Sequence, residues 1–174
     1  VNFNLYFLLL IKRFKAALQS SEVWYYLGIV AFSVAMIAAN ILPMCKNLEE
    51  AVRLSAFQVS SIITTTGYAT ADFNLWPQFS KSILLVLMMV GACAGSTGGG
   101  LKVSRAVMLV KMIGKELKHL LHPRSVNSIR FEGKNVDGAT IKGVSSYFAI
   151  YMFCQFAIYL ILSFNGFDME TNLS

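Results

Sequence analysis

Five consecutive residues, Thr64-Thr-Thr-Gly-Tyr68, have the side-chain types of a backbone cation site. β-Branched residues resist the helix, which leaves their carbonyls without intrahelical donors. Gly67 opens dihedrals closed to a residue with a Cβ, so the carbonyls of Thr65, Thr66, Gly67 and Tyr68 can face one axis. A second segment, Gly91-Ala-Cys-Ala-Gly-Ser-Thr-Gly-Gly-Gly100, interrupts an apolar run. Gly95, Gly98, Gly99 and Gly100 favour loop over helix, and the hydroxyls of Ser96 and Thr97 can satisfy the backbone groups so released. Nucleotide chemistry fails on inspection. From Gly95, a GxxxxG reaches Gly100, but Leu101 precedes Lys102, and Val103 stands where Ser or Thr would hold magnesium. GxGxxG fails at Val103 as well. No catalytic constellation and no bound cofactor are expected.

Weaker signals resolve into ordinary chemistry. His119-Leu-Leu-His122 has one-turn spacing for a metal, but no carboxylate or Cys cluster completes a site, so a lipid-facing or partner-facing surface is the reading. Cys45, Cys93 and Cys154 are far apart and lack CxxC spacing, which reads as three buried small apolar groups. Asn172-Leu-Ser174 matches a glycosylation pattern by letter only. Asp72 either draws cations to an outer mouth or caps a local turn.

The elements around these residues belong to a membrane. In 174 residues, 56% are apolar and only 14% charged, against about 25% charged in ordinary soluble domains. A bilayer-spanning helix needs about 20 apolar residues. Residues 23–42 supply one such run, opened by Trp24, Tyr25 and Tyr26 and closed by Pro43, and residues 143–164 supply another. Residues 79–90 are apolar up to the glycine-rich break, and apolar character resumes at Leu101, as in a single crossing helix interrupted near mid-membrane. Residues 48–63 form a further helix-compatible stretch. Asn47 stands at its N-cap, and Glu50 completes a capping-box variant. Its roughly 24 Å fall short of a full crossing once tilted. It is therefore expected to re-enter on the side it came from, pointing the negative end of its dipole at Thr64-Thr-Thr-Gly-Tyr68.

Basic residues orient the chain. Lys12, Arg13 and Lys15 mark one cytoplasmic side, and nine Lys or Arg between Lys102 and Lys142 mark the other cytoplasmic stretch. A net charge of +6 beside apolar runs points to anionic lipid as counter-charge, with no nucleic acid partner expected. Residues 1–11 are too short to span and precede their positive charges, so they read as the end of a severed helix and not as a signal peptide. The sequence is taken as an internal fragment. Alternation at Ile129 and Phe131, with a Gly133-Lys-Asn135 turn, suggests a short cytoplasmic hairpin.

Residues 64–77 and 91–105, in this order and at this separation, closely resemble the third repeat of the Trk/Ktr family of bacterial potassium-uptake membrane subunits, of the TrkH/TrkG type. One departure is Gly91-Ala92, where a Gly-Gly pair is common. The likeness implies an all-α integral membrane fold of outer helix, re-entrant pore helix, filter loop and broken inner helix, one of four units around a potassium-channel-like pore. Residues 1–20 would then be the cytoplasmic end of the preceding inner helix, 21–121 a complete repeat, 122–142 a cytoplasmic loop, and 143–174 the next outer helix.

The same likeness implies potassium as the transported ion, held only by filter carbonyls. It makes residues 95–100 an intramembrane gate in the bacterial inner membrane. Implied partners are membrane lipids, a second copy of the full-length subunit and a cytosolic nucleotide-binding subunit similar to TrkA or KtrA. Lys111, Lys115, Lys118 and Arg124 form the candidate partner or lipid surface. A different class, a non-conducting membrane scaffold with pore-like packing, uses the same residues. Conduction requires four filter loops, each with its glycine. Sodium-coupled uptake would also use the same residues.

Overall fold

A computed structural model describes residues 7, 10–12, 20–122, 129–131, 134–164 and 166. The chain divides into two compact units, Val1–Val103 and Ser104–Ser174.

Three helices build the first unit. α1 (Ser21–Ile41) follows the apolar run and gives way at Pro43, which lacks an N–H, to a 3-10 turn over Leu42–Met44. α2 (Leu48–Ile63) has the bounds expected from the sequence. Its cap differs: Asn47 has extended backbone but makes no side-chain capping bond, whereas Glu50 Oε2 accepts from the Lys46 N–H at 3.1 Å. Glu50 thus supplies the reciprocal half of a capping box one residue earlier than expected. α3 (Gln78–Met89), roughly 18 Å long, stops before the glycine-rich segment.

These helices pack on one another, and their least exposed side chains, Ile37 and Ile41 of α1, Val59 and Ile63 of α2 and Leu84 of α3, form the core. Tyr26, Ser33, Ile37 and Ile41 recur at helical spacing on the buried stripe of α1. Ser80 Oγ donates to Asn40 Oδ1 at 2.8 Å, a polar tie between α3 and α1 of the kind that joins helices in lipid.

The second unit holds most of α4 (Val103–Leu121), a two-stranded antiparallel pair and α5 (Gly138–Ser163). In the pair, β1 (Arg130–Phe131) matches β2 (Lys134–Asn135), with Arg130 opposite Asn135 and Phe131 opposite Lys134. The hairpin is therefore present, but Lys134 and Asn135 are strand residues instead of turn residues. Arg105 lies over the Tyr147 ring at 4.1 Å, and Ser145 Oγ donates to Met112 Sδ at 3.4 Å, joining α4 to α5. α5 starts five residues before the expected Gly143 and takes in Lys142; Asp137, which precedes it, has extended backbone and makes no side-chain capping bond.

Val144 is the buried residue of α5, and Phe153, Phe156 and Ile161 are exposed. A helix apolar all round is suited to lipid. Among the described residues, α1 with its 3-10 turn and α5 are long and apolar enough to cross a bilayer. The cysteine expectation holds only for buried Cys93; Cys45 is half-buried and Cys154 lies exposed on α5. Most of residues 1–20, as well as Arg124 and Asn172, lie outside the described residues.

Candidate filter and glycine-rich loop

α2 ends in two backbone bonds that define its exit. The Thr65 N–H donates to Ile62 O and the Thr66 N–H to Ser61 O, both at 2.9 Å. This is a Schellman termination, which places a left-handed residue just past the helix. Glycine usually fills that position, but here it is Thr65, at φ 56°. Gly67 is also left-handed, at φ 81°. Two reversals within three residues turn the chain sharply away from the helix axis.

Hydroxyls then fix the exit. Thr64 Oγ1 donates to Ser60 O at 2.6 Å and lies 2.6 Å from Thr66 Oγ1. Ser61 Oγ donates to Tyr68 O at 2.6 Å, which leaves that carbonyl one lone pair. Residues 64–70 are exposed. Asp72, left open by the sequence, caps the 3-10 turn Phe73–Leu75 by accepting from the Asn74 N–H at 3.0 Å.

The glycine-rich segment closes on itself. The Leu101 N–H donates to Met89 O at 3.0 Å, the Gly91 N–H to Leu101 O at 2.8 Å and the Val103 N–H to Ala92 O at 3.3 Å. These bonds form one parallel bridge, Val90 to Leu101, as a stem for residues 91–100. Gly91 is indispensable in it, since a Cβ there would lie 1.8 Å from Gly99 O. Ala92, the departure from Gly-Gly, presses on the other side: its Cβ lies 3.0 Å from where a Cβ on Gly98 would be. Ser96 fulfils its expected role, with N–H and Oγ both donating to Cys93 O.

Three side chains hold the loop. Lys102 Nζ donates to Ser96 O at 3.0 Å and also to Gly98 O. Glu22 Oε1, from the first turn of α1, accepts from the Ala94 N–H at 2.6 Å. Thr65 Oγ1 donates to Thr64 O at 2.7 Å and accepts from the Gly99 N–H at 3.3 Å, so the loop touches the first left-handed residue after α2. The two predicted segments are therefore in direct contact.

Sequence reasoning missed Glu22 and Lys102 as loop contacts and understated Gly91. A lysine just after a glycine run in apolar surroundings was a usable signal for Lys102, because such a charge must find backbone partners. Nothing local to Glu22 announces a partner 72 positions away. On the basic surface, Lys111 Nζ lies 5.7 Å from the Phe131 ring centroid, Lys115 is half-buried and Lys118 is exposed. Among the described residues no group of three or more His, Cys, Asp or Glu is placed to hold a metal.

Two long apolar helices, a short helix with a doubly reversed threonine-glycine exit, and a self-closed glycine-rich loop in contact with that exit define an all-α membrane protein with pore-like repeats. The family model described as "TrkH: Cation transport protein" matches residues 4–172, and the chain belongs to that family. The Trk system potassium uptake protein TrkH of Escherichia coli K12 is 33% identical over 171 residues, covering 96% of this chain and 35% of its own. TrkG of the same organism is 35% identical over 120 residues, covering 69% and 25%. The crystal structure of the potassium transporter TrkH from Vibrio parahaemolyticus superposes with a TM-score of 0.90 at 29% identity, covering all of this chain and 38% of that one. The chain thus spans about a third of the length of these relatives. Family and fold make it a multi-pass protein of the bacterial inner membrane.

Proposed function

We propose that this chain carries the third filter and the gate of a potassium-uptake subunit. The observation that carries the reading is the Thr65 to Gly99 hydrogen bond, which joins a helix-terminated carbonyl segment to a glycine-rich loop. The carbonyls of Thr65, Thr66, Gly67 and Tyr68 replace part of the ion's hydration shell, as the TVGYG carbonyls of potassium channels do. The negative end of the α2 dipole adds to the attraction for a cation. Residues 95–100 obstruct the path below and move aside on activation. A cytosolic nucleotide-binding subunit biases that movement by docking on the basic stretch that includes Lys111, Lys115, Lys118 and Arg124. The full-length subunit pairs with a second copy. The curated relatives named as potassium uptake proteins support the choice of ion.

Gly67→Ser in the full-length subunit tests the filter. A Cβ at φ 81° is strained, so the neighbouring carbonyls shift and discrimination against sodium falls about tenfold, the effect of roughly 1.4 kcal/mol. Rubidium and sodium uptake in cells lacking other potassium systems measures it. Unchanged selectivity at normal expression removes Gly67 from the filter.

A further inference from the structure

We infer that Glu22 is a positioning residue for the glycine-rich loop, holding it in its resting place from the first turn of α1. An acid at a helix N-terminus ordinarily faces water and is favoured by the dipole alone. Glu22 is instead 4% exposed, and its Oε1 accepts from the Ala94 N–H at 2.6 Å. In a continuous helix that N–H would donate to Val90 O four residues back. The helix is broken at this point: beside Val90 the chain pairs with Leu101 through Met89 O and the Gly91 N–H, and the Ala94 N–H bonds to Glu22 instead of four residues back. The carboxylate therefore takes the place of the lost helical acceptor for an N–H that is partly withdrawn from water.

The position of Ala94 gives the bond leverage. Ala94 sits inside the turn that Ser96 closes onto Cys93 O, ahead of Gly95 at φ 72°. Lys102 holds the far half of the loop through Ser96 O and Gly98 O, and both lysine and loop follow α3 in the chain. Glu22 and Thr65 hold it from α1 and from the exit of α2. Of these three contacts, the one from Glu22 comes from a segment continuous in sequence with neither the filter nor the loop. A pull on the chain entering α1 thus reaches the loop without passing through the filter. This inference rests on the reading of residues 95–100 as a gate, but the bond and its effect on loop exposure can be tested apart from that reading.

Two readouts on full-length subunit in liposomes serve: rubidium flux without any soluble partner, and alkylation of Cys93 in a background whose other cysteines are serine. Cys93 is 1% exposed and adjoins Ala94, so its alkylation reports release of the loop. Glu22→Ala is expected to raise the alkylation rate and the basal flux about tenfold, the effect of losing one hydrogen bond to a charged group, with selectivity unchanged. Glu22→Gln keeps an acceptor oxygen in place and stays near the parent in both. Glu22→Asp keeps the charge but withdraws the oxygen by one methylene, and behaves like Glu22→Ala. If Glu22→Ala does not fold, the order of Asp and Gln decides. A parent-like Asp with a released Gln assigns Glu22 a purely electrostatic role and overturns the inference, as does parent-like alkylation in every folded variant. Faster alkylation with unchanged flux keeps the tie and overturns the gate. Raised flux on shortening residues 95–100, with Glu22→Ala parent-like in both readouts, keeps the gate and overturns the tie.

Discussion

A β-branched residue in left-handed backbone costs roughly 1–2 kcal/mol, and Thr65 bears that cost where glycine would avoid it. The side chain accounts for its presence, because its one hydroxyl oxygen both donates to Thr64 O and accepts from the Gly99 N–H. Gly91 shows the opposite requirement. A Cβ on Gly91 meets Gly99 O at 1.8 Å, whereas one on Gly99 meets nothing closer than Thr65 Cγ2 at 3.9 Å. Gly91→Ala should therefore destabilise the full-length subunit by about 2 kcal/mol, while Gly99→Ala costs well under half as much. Thermal unfolding in detergent compares them, and equal shifts would remove the steric account of the stem. Residue types announced the left-handed backbone at Gly67 and the hydroxyl-to-backbone bond of Ser96, since backbone preference is local. They did not announce the contacts of Glu22 or Lys102, because a hydrogen-bond partner far along the chain is set by packing.

Among the elements, α2 was legible to the residue: an acid-rich first turn opened it and three consecutive threonines closed it. The break after α3 was equally plain from its glycines. The stem was not, since neither Val90 nor Leu101 looks different from the apolar residues around it. Apolar runs also misplaced the start of α5, where the helix begins at Gly138 and carries Lys142 into the first turns. Because the stem bonds lie at Met89, Gly91, Ala92, Leu101 and Val103, removing residues from within 95–98 leaves them intact. Such a deletion should raise basal potassium flux several-fold without loss of folded yield, since the obstruction shrinks while its base stays closed. Flux in liposomes, normalised to the monodisperse fraction on size exclusion, is the measurement. A well-folded deletion with parental flux would reduce the segment to packing.

At the scale of the whole molecule, charge carries the information that helices do not. Basic residues concentrate between Lys102 and Lys142, where anionic lipid is one counter-charge and the soluble regulator of the proposed function would be another. Lys111 stands over Phe131, so its charge is partly committed within the second unit. Lys118 is exposed and Lys115 half-exposed, which makes them the better probes. Reversing both to Glu should weaken pull-down of the soluble regulator about tenfold at low salt and flatten its salt dependence. Equal recovery of parent and variant at both salts would assign the pair to lipid and topology.

The parallel bridge between Val90 and Leu101 has a consequence for how this segment can vary. Its bonds, made by Met89, Gly91, Ala92, Leu101 and Val103, fix the point at which the chain re-enters helix at Val103. Residues 95–98 behave as a cassette: their number can change while the register of everything downstream is preserved. Exposed Thr97, near the cassette's middle, is the natural splice point for a reporter peptide.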